Sequence, residues 1–143
     1  MKIPQISIFV SNRPGRIHAI CKTLADAGIN LFSLTLADNG EFGLVRLIVS
    51  DADKAVSVLE ASGLAATVTD VIACEVDAAL GGLSKFLATP AGEMQIEYMY
   101  AFPMQQHKDS AIMIFRFQDP DAAIAVLKNS GAKIISRKEL LGK

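Results

Sequence analysis

The chain contains its own sequence twice, and this repeat restricts the fold more than any other feature. Residues 51–63, DADKAVSVLEASG, and residues 119–131, DPDAAIAVLKNSG, are identical at seven of thirteen positions at an offset of 68. Toward the N-terminus the offset is 66. There Ile6–Val10 lies over Ile72–Val76, Gly15 over Gly81, and Phe32 and Leu34 over Tyr98 and Tyr100. One short gap near residues 39–44 reconciles the two offsets. Two copies, 1–70 and 71–143, account for all 143 residues. The fold must therefore be one that a half-chain forms and that packs against a copy of itself. No Gly/Ser-rich linker separates the halves near Asp70, so two packed domains are expected rather than two tethered ones.

Each copy reads β-α-β-β-α-β. Ile6–Val10 is β-branched and aromatic, a strand. Pro14-Gly15 ends it. Ile17, Ile20, Cys21 and Leu24 then recur at i, i+3, i+4 and i+7 as one apolar helical stripe, and Gly28 sits where a C-terminal cap belongs. The next strand, Leu31–Ala37, places Phe32, Leu34 and Leu36 on one face. Asp38-Asn39-Gly40 is a hairpin turn signal, followed by a strand over Leu44–Val49. Asp51 is a helix N-cap with Asp53 in the first turn, Val56 and Leu59 face inward, and Gly63 ends that helix before a strand at Ala66–Thr69. The second copy repeats this layout, with Pro120 well placed in a first helical turn. Pro90, however, falls where the first copy has Leu24, and proline in a helix interior removes a hydrogen bond and clashes. That helix should stop near Thr89 or kink.

Crossover rules favour an α+β, ferredoxin-like arrangement for each copy. Two copies side by side are expected to form one eight-stranded antiparallel sheet with helices on one face, which satisfies one strand edge of each copy. The run Ile96, Tyr98, Tyr100, Phe102 against Glu97, Met99, Ala101 is apolar on both sides, which predicts a second face at least partly buried, as in a homodimer.

Composition removes several function classes. Fourteen basic residues stand against fifteen acidic ones, divided evenly between the halves, so no basic patch suggests nucleic-acid binding. No apolar run approaches the ~20 residues that span a bilayer. The first residues lack a signal-peptide pattern, which predicts a cytoplasmic protein. Cys21 and Cys74 are isolated and apolar in setting, consistent with packing in a reducing compartment and with neither a zinc site nor a redox pair. His18 and His107 read as surface residues. No Ser/His/Asp order, HExxH, GxGxxG or P-loop appears. The acidic pairs Asp51/Asp53 and Asp119/Asp121 are explained by helix starts. No cofactor or metal is implied, and the chain is read as a non-enzyme.

One segment does carry chemistry. Ser11-Asn12-Arg13-Pro14-Gly15-Arg16 joins a strand to a helix N-terminus, where free N–H groups and the positive end of the helix dipole receive a carboxylate or phosphate. Gly15 permits close approach to the backbone, and the Asn12 amide both donates and accepts, as a zwitterion requires. A plain strand-to-helix turn would use the same residues to shape the chain only.

This loop, followed by Leu24-Ala25-Asp26-Ala27-Gly28-Ile29-Asn30-Leu31, resembles the opening of an ACT domain, an amino-acid-binding βαββαβ regulatory module. The N-x-P-G loop and the G-[IV]-N before the second strand are both present. The resemblance is particularly to the ACT domains of phosphoglycerate dehydrogenase and of the acetolactate synthase small subunit, and the repeat extends it over the whole chain as a tandem. The second loop, Asp77-Ala78-Ala79-Leu80-Gly81-Gly82, keeps the glycine and loses Asn and Pro.

The resemblance implies that Asn12 and Asn30 hold an amino-acid ligand across a domain interface. The serine sensors carry a histidine two residues before the loop asparagine. Val10 stands there, which suits a more apolar ligand side chain, branched-chain, aromatic or histidine-like. The implied ligand set is Ser11, Asn12, Arg13, Pro14, Gly15, Ile29, Asn30 and Leu31; if the copies pair about a pseudo-two-fold, the Asn12 loop faces the second strand of the other copy, with Glu97 or strand carbonyls for the ammonium and Tyr98 against the side chain. The implied partners are a small amino acid and a metabolic enzyme, with no nucleic acid and no membrane.

Three rivals remain. A scaffold could bind a partner protein with no small-molecule ligand. An acylphosphatase-like enzyme would use Arg13 or Arg16, but that family's glycine-valine loop pattern is missing and the repeat goes unexplained. RNA binding needs stacking aromatics on the first and third strands, which Phe9, Phe115 and Phe117 do not supply convincingly.

Overall fold

A computed structural model describes residues 1–104 and 108–142; His107 lies outside the described residues. The chain divides into two compact units, Pro4–Thr69 and Met1–Ile3 with Asp70 onward.

The first unit is built on β1 (Ile3–Ser11), α1 (Arg16–Asp26), β2 (Leu31–Asn39), β3 (Phe42–Val49) and α2 (Ala52–Ala61). β3 pairs antiparallel with β1 on one side and β2 on the other. Ile6, Ile8 and Val10 of β1 alternate onto the same side as Val45, Leu47 and Val49 of β3. They meet Ile20 and Leu24 from α1 and Ala55 and Leu59 from α2, so both helices cover one face of this sheet. The strand period of 2 and the helix period of 3.6 thus converge on a single core. The opposite face is marked by Phe9, which is 65% exposed. α2 starts as its sequence dictates, with Asp51 accepting the Lys54 backbone N–H at 3.1 Å.

The hairpin turn lies one residue later than expected. Asn39 pairs with Phe42, which leaves Gly40-Glu41 as a two-residue turn with Gly40 at φ 72°. Glycine at the first central position is what a type II′ turn needs.

The strand count also differs from expectation. The two strands read at Ala66–Thr69 and Ile72–Val76 are one continuous strand, β4 (Ala66–Asp77), so the described residues contain seven strands instead of eight. No glycine or proline interrupts this segment, and Thr67, Val68, Thr69, Val71 and Ile72 are all β-branched, so nothing local stops the extended backbone.

The second unit continues with α3 (Gly82–Leu87), a 3₁₀ turn (Pro90–Glu93), β5 (Ile96–Phe102), β6 (Ser110–Phe117), α4 (Pro120–Asn129), β7 (Lys133–Ile135) and α5 (Arg137–Leu141). β4 lies between β6 and β7, and β5 pairs with the other edge of β6. This is the strand order of the first unit, β4-β1-β3-β2, repeated. α3 stops before Pro90, and the chain resumes as the 3₁₀ turn that proline tolerates at its start. Stacked Phe86, Phe115 and Phe117 rings centre the second core. Both units are therefore ferredoxin-like, and the protein is a tandem α+β repeat.

β2 and β5 each carry a bulge at the same place. The register shifts between Leu31 and Ser33 opposite β3, and between Ile96 and Tyr98 opposite β6. Leu34 faces Leu47 and Met99 faces Phe115, so the structural offset here is 65, and Phe32 corresponds to Glu97 instead of Tyr98. A bulge inserts a residue and moves every later side chain to the other face. Ile96 therefore sits on the helix side with Phe117, while Tyr98 and Tyr100 sit on the opposite side beside Arg116 and Ile114.

Candidate functional site

The β1–α1 junction gathers five of the residues singled out above. Ser11 ends β1 opposite Phe42. The Asn12 backbone N–H donates to the Glu41 carbonyl at 2.9 Å, and its side-chain Nδ2 donates to the Gly40 carbonyl at 3.4 Å. These two bonds tie the loop to the β2–β3 turn. The Arg13 N–H donates to the Ser11 carbonyl at 2.8 Å, and Arg16 Nε donates to Ser11 Oγ at 3.0 Å. Gly15 caps α1 in the left-handed region at φ 87°, with no side chain accepting the first helical N–H groups and no acid in the first turn. Arg13 and Arg16 instead flank this positive pole along the chain, both exposed. Cations at a helix N-terminus oppose the macrodipole.

Ile29, Asn30 and Leu31 lie at the far end of the same unit. Leu31 pairs with Val49, whereas Ser11 pairs with Phe42. Seven residue steps of β3 separate these points, roughly 23 Å at ~3.3 Å per residue. Asn12 and Asn30 of one unit are thus not brought together. The Ile29 side chain is buried in the core, and Leu31 packs against it. Asn30 is exposed; its N–H donates to Ser50 Oγ at 2.9 Å, and its carbonyl receives the Ser50 N–H at 2.9 Å. Val10, at the position tied to ligand polarity, is 5% exposed and packs with the helices.

Glu97 occupies the β5 bulge. Arg116 Nε stands 3.5 Å from its Oε2, and an Arg116 terminal nitrogen donates to the Asp70 carbonyl at 2.9 Å. A ligand ammonium would share Glu97 with this guanidinium. Tyr98, next along β5, is half-buried. No group of three or more His, Cys, Asp or Glu able to hold a metal occurs among the described residues, and no helix among them is long and apolar enough to cross a membrane.

The fold and this loop define the class: a tandem of ferredoxin-like units with a glycine-capped turn after the first strand. Residues 1–142 match the family model of the ACT domain pair, and the chain belongs to that family, whose members are regulatory, ligand-binding modules. Among solved structures it is similar to protein BT0572 from Bacteroides thetaiotaomicron, with 35% identity and a TM-score of 0.89 over 100% of this chain and 98% of that one. It shares its fold with the regulatory subunit of aspartate kinase from Thermus thermophilus, at 17% identity and TM-score 0.60 over 89% of this chain and 91% of that one. No curated protein matches the chain.

Proposed function

We propose that this is a cytoplasmic, non-catalytic regulatory protein that senses a small amino acid and modulates a partner metabolic enzyme, consistent with a neighbour that is itself a regulatory subunit of a kinase. The observation that carries the reading is the start of α1, where the Gly15 cap leaves the first-turn amides without a side-chain acceptor amid Arg13 and Arg16. A carboxylate there gains N–H donors and the helix dipole together. Ser11, Asn12, Arg13, Pro14 and Gly15 form the proposed carboxylate clasp. Asn30, Ile29 and Leu31 belong to a pseudo-equivalent second site. An effector acts only through unequal affinity for two states, so the output is a change in the partner enzyme or in assembly.

The test begins with a thermal-shift screen of the twenty amino acids, in which one or a few raise the melting temperature by mass action. Calorimetry with the hit then compares wild type with Asn12→Ala. Loss of a hydrogen bond to a charged group costs about 1.5–3 kcal/mol, a ten- to hundredfold weaker Kd. Equal affinity in the two proteins removes Asn12 from the site, and a screen with no hit removes the sensing role.

A further inference from the structure

β4 runs unbroken through Asp70, the residue at which the second unit resumes, although its ladder with β6 stops short of that residue. The ladder extends from Asp77 opposite Ser110 to Ile72 opposite Phe115. The same register would set Val71 against Arg116 and Asp70 against Phe117, but the pairing ends at Ile72.

Arg116 takes over there with its side chain. A terminal guanidinium nitrogen donates to the Asp70 carbonyl at 2.9 Å, so β4 gains a charge-assisted bond where the rungs stop. The guanidinium Nε stands 3.5 Å from Glu97 Oε2. Glu97 is the residue that the bulge adds to β5, between Ile96 opposite Phe117 and Tyr98 opposite Arg116. One planar fork thus ties three neighbouring strands: β5 through Glu97, β6 through its own backbone and β4 through Asp70. The Arg116 side chain is 22% exposed and that of Glu97 45%, so the guanidinium is largely sheltered while its carboxylate anchor faces solvent.

The repeat supplies an internal control. Pro4, Phe32 and Ile48 occupy the first-unit positions of Asp70, Glu97 and Arg116, and none of these three side chains is charged. β1 begins at Ile3, so it has no length beyond Pro4 to hold. β4 does continue, back to Ala66. The brace occurs in the copy whose first strand is prolonged.

We infer that Arg116 and Glu97 form a charge-sensitive latch that keeps β4 a single strand through Asp70. Arg116 supplies the bond to β4, and Glu97 is the positioning residue that aims the guanidinium. With the latch open, β4 relaxes at Asp70–Val71 into the two strands that the sequence alone suggests, Ala66–Thr69 and Ile72–Val76. Salt screens the solvent-facing Glu97 and a cationic group arriving there competes for it, so charge from outside biases the latch. A regulatory module needs an element with two arrangements that an outside group can bias.

The test is amide hydrogen exchange of the full chain, read by mass spectrometry, with α4 as the internal reference. Arg116→Met keeps the apolar stem and removes the fork. Residues 67–72 should then exchange roughly tenfold faster while α4 keeps its wild-type rate. Raising the salt from about 0.05 M to about 0.5 M should speed residues 67–72 severalfold in wild type. Glu97→Gln, of the same size without the charge, should exchange fast at both salt levels. Unchanged exchange of 67–72 in Arg116→Met overturns the latch, and so does equal acceleration of 67–72 and α4, which marks a general loss of stability. The Glu97→Gln arm decides alone if Arg116→Met does not fold: a salt response equal to that of wild type overturns the latch. None of these measurements involves the β1–α1 loop, so the sensing role stands or falls separately.

Discussion

Single residues separate what the core needs from what a ligand needs. Val10 alternates with Phe9 along β1, and the alternation puts Val10 among the helices while Phe9 remains exposed. Cys74 lies wholly in the second core, and burial pushes its thiol up to about 12 from its ordinary 9.0. The folded state thus holds this proton where the unfolded chain releases it. The associated stability is fully present below pH ~9 and is lost as pH rises from there toward 12, at up to about 1.4 kcal/mol per pH unit. Urea melts between pH 8 and 10.5 should show an alkaline fall that is shallower in Cys74→Ala, even though the variant starts less stable. Parallel slopes for the two proteins would show that the thiol is not the source. At neutral pH the same residue should resist alkylation until the protein unfolds.

At the scale of elements, the helix starts were the most legible part of the chain. Asp51 and Asp119 cap α2 and α4 by accepting the N–H three residues on, an interaction set within four residues and therefore visible in sequence. α5 was missed, though Ser136 and Glu139 form a reciprocal capping box ahead of buried Leu140 and Leu141; the S-x-x-E pattern before Leu-Leu was its signal. The β2 and β5 bulges carried no comparable mark, because an inserted residue is defined only against its partner strand. The two glycine-started helices differ in a testable way. At Gly15 a Cβ meets nothing within 4 Å, so Gly15→Ala costs only the left-handed backbone, about 1–2 kcal/mol. Gly82, the first residue of α3, is not left-handed, but Gly82→Ala must displace the Asp77 carbonyl, and the junction of β4 with α3 should open, with a loss of about 1–3 kcal/mol from overpacking. Equal denaturation midpoints for wild type and Gly82→Ala would contradict this packing.

At the scale of the whole molecule, the repeat is symmetric in topology and asymmetric in chemistry. Gly82 in place of Arg16, and Pro90 in place of Leu24, leave the second unit with a shorter first helix. The first unit also exposes Phe9 and Phe42, at 65% and 53%, on strands that are hydrogen-bonded neighbours. Both lie on the face away from the helices, and adjacent exposed aromatics mark association surfaces, here for the homodimer expected from the sequence. Light scattering after gel filtration should report a dimer for wild type and a monomer for the Phe9→Ser/Phe42→Ser double variant. A dimeric double variant would put the contact elsewhere, and a monomeric wild type would remove the dimer.

The repeat, the βαββαβ order, the helix caps and the anion-receptive loop were all determined by sequence alone, because each depends on contacts within a turn or on a pattern the chain states twice. Tertiary structure decided where side chains point after a bulge, that Ala66–Asp77 runs as one strand, and that Asn12 and Asn30 stand at opposite ends of their unit. Those outcomes depend on registers between residues far apart in the chain.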